Sequence, residues 1–128
     1  MCDRIGTDLV SIARVRSMVD RCGQDLLHRL LTPREFHDSG GGRGDVSYHA
    51  VAGRIAAKEA VFKLFHEGST ILPWLDIEIR RSPSGALEPA LRGKAAELAA
   101  SIGLGRVALS TSHDGDYAVA FATASLHR

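Results

Sequence analysis

The chain has 128 residues, a net charge of +1 and an apolar content of 45%, which fits one domain with a modest core. Near-neutral charge gives no reason to expect nucleic acid or a membrane surface as partner, and 5% aromatic residues are too few for base-stacking platforms. No apolar run approaches the roughly 20 residues that span a bilayer.

The first residues, Met1-Cys2-Asp3-Arg4-Ile5, lack the basic and then apolar pattern of a secretory signal. Cys2 and Cys22 make no disulfide framework, so free thiols and a cytoplasmic location are expected. Residues 4–10 predict a short strand that carries Asp8, with Gly6 as its weak point. Ser11 is placed to cap a helix in which Ile12, Val15, Met18, Val19 and Cys22 keep helical spacing, and Gly23 supplies the stop. Its outer face carries Arg14, Arg16 and Arg21. Residues 25–31 read as a second short helix. Thr32-Pro33-Arg34-Glu35 then has every part of a helix start: cap, proline at the first position and capping-box glutamate.

Residues 39–45, Ser-Gly-Gly-Gly-Arg-Gly-Asp, form a flexible loop. The Arg-Gly-Asp within it has no extracellular context, and a P-loop is ruled out by the missing strand and closing Lys-Ser/Thr. A central helix follows over residues 47–66, ended by Gly68. Residues 76–80 alternate as a strand, 82–85 turn, and 87–91 return as its partner. An alanine-rich helix at 94–102 is closed by Gly103, and 106–112 and 117–123 pair as a hairpin across 113–116. Helices first and strands after predict an α+β fold, with one long central helix packed on a small antiparallel sheet.

The central helix holds the feature around which the chain is organised. At about 3.6 residues per turn, Val51, Ala52, Ile55, Ala56, Glu59, Phe62 and Lys63 share one face. That face is mainly apolar and is expected to pack inward, with Glu59 in its middle. An inward carboxylate is costly unless a metal, a cation or hydrogen-bond donors receive it. A solvated Glu-to-Lys pair, worth a few tenths of a kcal/mol, is the plain alternative, but such pairs belong on the polar face.

Asp8 after a strand start, Glu59 with Lys58 and Lys63, and Ser110-Thr111-Ser112-His113 at a strand end form the candidate chemistry. Two carboxylates from separate elements suit one hard cation such as Mg²⁺, with substrate phosphate oxygens completing its shell. Lysines one turn apart and a histidine would add positive charge, a combination that points to phosphoryl-type transfer by positioning and charge neutralisation. The other histidines show no zinc-site spacing, and nothing resembles a Gly-x-Ser-x-Gly nucleophile elbow.

Four segments carry a family resemblance: Ile5-Gly6-Thr7-Asp8-Leu9-Val10-x-Ile12-x-Arg14, Leu31-Thr32-Pro33-Arg34-Glu35, Arg54-Ile55-Ala56-Ala57-Lys58-Glu59-Ala60-x-x-Lys63, and Ser110-x-Ser112-His113. In order and separation they resemble the small 4′-phosphopantetheinyl transferases of the holo-[acyl-carrier-protein] synthase type, over nearly the whole chain. The resemblance implies Mg²⁺-dependent transfer of the phosphopantetheine arm of coenzyme A to a serine of an apo carrier protein, with adenosine 3′,5′-bisphosphate as the other product. By position it assigns Asp8 and Glu59 to Mg²⁺, and Lys63 to the phosphates and the leaving group. Lys58, Ser112 and His113 fall to the nucleotide, and Arg14 and Arg21 to an acidic acyl or peptidyl carrier. Glu59 acting through a water, or a metal-bound water, would take the serine proton. The family implies a homotrimer with sites at subunit interfaces, His113 coming from the chain next to the one that supplies Asp8 and Glu59.

The chain departs from the family pattern in places. Leu64-Phe65-His66-Glu67-Gly68 replaces Ala-Leu-Gly-x-Gly, putting a side chain at His66 where glycine lets the backbone approach coenzyme A. Gly85-Ala86-Leu87 replaces Gly-x-Pro, with proline displaced to Pro89. These changes suggest a specialised carrier, such as a polyketide-type one. The altered segment at His66 also motivates a second reading, a non-catalytic adaptor that only docks carriers; a generic Mg²⁺-nucleotide hydrolase is a third.

Overall fold

In the computed structural model, which describes residues 2–44, 46–66 and 72–127, the first strand β1 (Cys2–Ser11) runs straight into helix α1 (Ile12–Cys22). Ser11 marks the junction: its side chain accepts from the Arg14 amide at 3.2 Å, meeting one of the donors a helix start leaves free. Short helices α2 (Asp25–Leu30) and α3 (Pro33–Asp38) follow. The predicted capping box forms, with Glu35 N donating to Thr32 Oγ1 at 3.2 Å and Thr32 N donating to Glu35 Oε1 at 2.9 Å.

Helix α4 (Tyr48–Phe62) starts on Ser47, whose side chain accepts from the Ala50 amide, and it ends before the expected bound, with Lys63 as its C-cap. The stop expected at Gly68 lies outside the described residues. Strands β2 (Ile77–Arg81) and β3 (Leu87–Leu91), helix α5 (Gly93–Ile102), and strands β4 (Ala108–Asp114) and β5 (Tyr117–Leu126) complete the order. Asp76 holds the start of α5 from outside, its Oδ2 accepting from the Lys94 amide at 2.9 Å.

The strands divide into two antiparallel sheets rather than one: a three-stranded sheet in the order β1-β5-β4, and the β2-β3 hairpin. Helix α4 lies across the first sheet. Alanines at 118, 120, 122 and 124 face it from β5, and Ala52, Ala56, Ala57 and Ala60 answer from the helix, all of them buried. Small residues on both sides bring the helix close. Gly6 is the extreme case, because a Cβ there would clash with the Ala60 carbonyl and lie 3.1 Å from Lys63 Cβ. The weak point of the predicted strand is thus where the strand meets the helix.

The core has two lobes around α4. One gathers Val61, Leu64, Phe65, Ile77 and Ile79 with α5 and β5. The other gathers Ile12, Val15, Val19, Leu27, Leu31 and Val51 between α1, α2 and the start of α4.

Candidate active site

With apolar neighbours on several sides, α4 buries a different face from the expected one. Val51, Ala52, Arg54, Ala56, Ala57, Lys58, Ala60 and Val61 are buried, whereas Ile55, Glu59 and Phe62 are half-buried and Lys63 is exposed. Glu59 therefore lies at the edge of the helix–sheet interface rather than in the middle of an inward stripe.

That edge faces Asp8. Alternation along β1 turns Gly6 and Asp8 toward α4, and Ile5 and Leu9 away from it. Lys63 Nζ donates to the Thr7 carbonyl at 2.7 Å and lies 3.4 Å from Asp8 Oδ1. Partial burial, and then the nearby Asp8 charge, push the Glu59 carboxyl above the ordinary carboxylate range, while Lys63 pulls it down. The structure so brings Asp8, Glu59 and Lys63 into one half-buried cluster. Among the described residues no three His, Cys, Asp or Glu side chains group as a metal site, so a cation here would draw on two carboxylates and take its other oxygens from water and substrate.

Lys58 is not part of this cluster, and its expected contact with the nucleotide is corrected. Its side chain is 0% exposed and its Nζ sits 2.6 Å from Glu35 Oε1, with the Leu30 carbonyl at 2.6 Å and that of Trp74 at 3.1 Å. Three donors meet three protein acceptors, leaving none for a ligand. Burial lowers the Lys58 ammonium from its usual range, and Glu35 opposes that shift.

His113 and Ser112 line a separate groove of about 600 Å³ near the start of α4, together with His49, Arg54 and Arg81. The rings of His113 and His49 meet edge to face with centroids 5.5 Å apart. Arg54, one turn before Lys58, is 4% exposed, and among the described residues its Nε has no hydrogen-bond partner. Burial, and then the like charge of Arg81, lower its guanidinium, while Glu35 and Asp38 raise it. The groove is thus lined by a buried cation beside a second one, a lining whose charge suits an anion. Arg54, Arg81 and His49 are not among the residues expected from sequence to form the site. The available signal was Arg54 at i−4 from Lys58, which puts two cations on one face of an alanine-rich helix.

His113 sits beside His49, and the ten residues of helix from His49 to Glu59 rise about 15 Å, so the groove and Glu59 lie toward opposite ends of α4. Arg14 and Arg21, two turns apart on α1, are both exposed. Arg16 leans instead over the Tyr48 ring at 5.1 Å. His66 takes φ 55°, the left-handed backbone that a glycine would supply, and its side chain is exposed. The backbone shape expected of glycine is therefore kept without glycine.

The fold is α+β, with a long helix across an alanine-lined sheet and a two-carboxylate, one-lysine cluster at their contact. Residues 4–122 match the family model of the 4′-phosphopantetheinyl transferase superfamily, and the chain belongs to that family. It is 48% identical over 120 residues to a holo-[acyl-carrier-protein] synthase of Desulforudis audaxviator, covering 94% of this chain and 90% of the relative. Among solved structures it resembles the Chronobacterium ammoniagenes ACPS–CoA complex, with TM-score 0.84, 31% identity and full coverage of both chains. The Helicobacter pylori holo-[acyl-carrier-protein] synthase in complex with coenzyme A gives TM-score 0.81 and 33% identity, over 94% of this chain and 99% of that one.

Proposed function

We propose that this chain moves the 4′-phosphopantetheine arm of coenzyme A onto a serine of an apo carrier protein, using Asp8, Glu59 and Lys63 at the pyrophosphate. The convergence of those three side chains, from β1 and from α4, carries the reading. Their chemistry suits Mg²⁺: two hard oxygen donors are held close enough that the Asp8 charge disfavours ionised Glu59, a tension a divalent cation relieves. Bound there, Mg²⁺ supplies charge neutralisation to the pyrophosphate.

Lys63 already points into the cluster, and its ammonium donates to the phosphate oxygens and steadies the leaving group. The carrier serine oxygen forms a bond to the phosphorus bearing the pantetheine arm. The pyrophosphate P–O bond then breaks, adenosine 3′,5′-bisphosphate departs, and the serine proton passes to Glu59 through a water. The groove with His113, Ser112, Arg54 and Arg81 takes the anionic nucleotide end.

Two observations support a trimer with sites between chains. His113 sits by the start of α4, about 15 Å along the helix from Glu59 of its own chain. The outer face of the three-stranded sheet also leaves Ile5 71%, Leu9 63%, Tyr117 52% and Phe121 51% exposed, an apolar patch of the kind that another copy covers. Arg14 and Arg21 are offered to an acidic carrier. His66 keeps the backbone form of the glycine it replaces, which favours transfer over the adaptor reading, while its side chain is the feature that still separates the two. Asp8→Ala and Glu59→Ala are tested by mass spectrometry of an apo carrier incubated with coenzyme A and Mg²⁺. Both variants are expected to fold and to leave the carrier unmodified. Normal transfer by Glu59→Ala overturns the assignment.

A further inference from the structure

The buried Glu35–Lys58 pair has no part in the chemistry above, yet it is the most fully enclosed ion pair among the described residues, with both side chains at 0% exposure. It ties together parts of the chain that are distant in sequence. Lys58 Nζ reaches the Leu30 carbonyl at the end of α2 and the Trp74 carbonyl before β2. Glu35 Oε1 also accepts from the Thr32 amide, and its Oε2 accepts from the Ile79 amide on β2 at 2.9 Å. A pair of this kind adds little net stability compared with apolar side chains of the same size, because desolvating two charges offsets their attraction. What it fixes is geometry.

We infer that Glu35 and Lys58 are positioning residues that set the rotation of α4 about its axis, so that Glu59 is held facing Asp8. Successive helix residues differ by about 100° in direction, so pinning Lys58 at three acceptors fixes where Glu59 points. On the opposite side, the close contact of Gly6 with the Ala60 carbonyl stops the helix from sliding over β1. Held between these two restraints, the metal-binding edge is built by residues that never touch the metal. The inference rests on the assignment of Asp8 and Glu59 to a divalent cation.

The test compares Lys58→Met, which keeps length and volume, with the double variant Glu35→Met/Lys58→Met, which leaves no unpaired charge. Thermal unfolding, steady-state kinetics and Mn²⁺ titration by electron paramagnetic resonance with coenzyme A present are measured on the whole protein. The double variant is expected to regain only part of the melting temperature lost by the single one, because it leaves no unpaired charge but strands the Thr32 and Ile79 amides. It is also expected to stay impaired in kcat and to bind Mn²⁺ about tenfold more weakly, as supporting residues around metal sites do. The KM for carrier should change little. A double variant that matches the wild type in kcat and Mn²⁺ binding makes the pair a structural staple and overturns the inference, and so does one that fails to fold. Asp8→Ala is the control: if it binds Mn²⁺ normally, the carboxylate assignment itself is wrong and this inference falls with it.

Discussion

Lys63 Nζ stands 3.4 Å from Asp8 Oδ1, joining the C-cap of α4 to β1 across 55 residues of sequence. The contact works only because Gly6 lets the strand approach the last turn of the helix. It marks one end of the cluster that holds Glu59.

Lys63 is half exposed and supports no buried contact, so Lys63→Ala should melt close to the wild type. Its kcat should fall about a hundredfold, the usual loss when one donor to developing charge is removed. Circular dichroism and steady-state kinetics on the same preparation check both parts.

Glu59 gives a pH prediction whose sign follows from its environment. Its carboxyl is raised in the folded state by burial and by Asp8, so ionising it costs stability. The stability associated with the neutral form is fully present below the ordinary carboxylate range, at about pH 4. It is lost as pH rises through the higher folded value. In metal-free buffer at pH 8, Glu59→Gln should therefore melt above the wild type, and the gap should close at low pH. Paired melting curves across pH test this.

For the carrier, Arg14→Glu should raise its KM several-fold and leave that for coenzyme A unchanged, since Arg14 is exposed on α1 and does not line the groove. Added salt should weaken carrier binding by the wild type in the same direction. Kinetics with each substrate varied in turn separate the effects.

The exposed sheet face predicts assembly. Phe121→Glu puts a charge on the apolar patch of Ile5, Leu9 and Tyr117 without entering the core, so the chain should stay folded and sediment as a monomer. Activity should fall with assembly, because the groove and the carboxylates then no longer meet.

Local signals in the sequence translated well into structure where the chemistry is local. Ser11, Thr32 with Glu35, and Ser47 all cap helices as their residue types require. The hairpin of β4 and β5 also forms, with a tighter turn, a first strand shifted by two residues and a longer second one. What the sequence did not reveal is which face of α4 is buried. Alanine carries little hydrophobic weight, so the face of Ala57, Ala60 and Val61 gives a weak apolar signal, and Lys58, the most enclosed charge on the helix, reads in sequence as a ligand residue. Its partner Glu35 lies 23 positions earlier, inside a capping box that already accounted for it. Such pairings depend on tertiary packing and leave no periodic trace. His66 is similar: a glycine-like φ at a non-glycine residue costs about 1–2 kcal/mol, and sequence alone does not indicate that the backbone accepts it.

The most direct measurement is the mass of a purified apo carrier protein after incubation with this enzyme, coenzyme A and Mg²⁺, run beside Glu59→Ala and a chelator control. The carrier should gain one phosphopantetheine with the wild type, and nothing with the variant or with the metal withheld. A panel of apo carriers that all stay unmodified, or a carrier modified equally well by Glu59→Ala, contradicts the account.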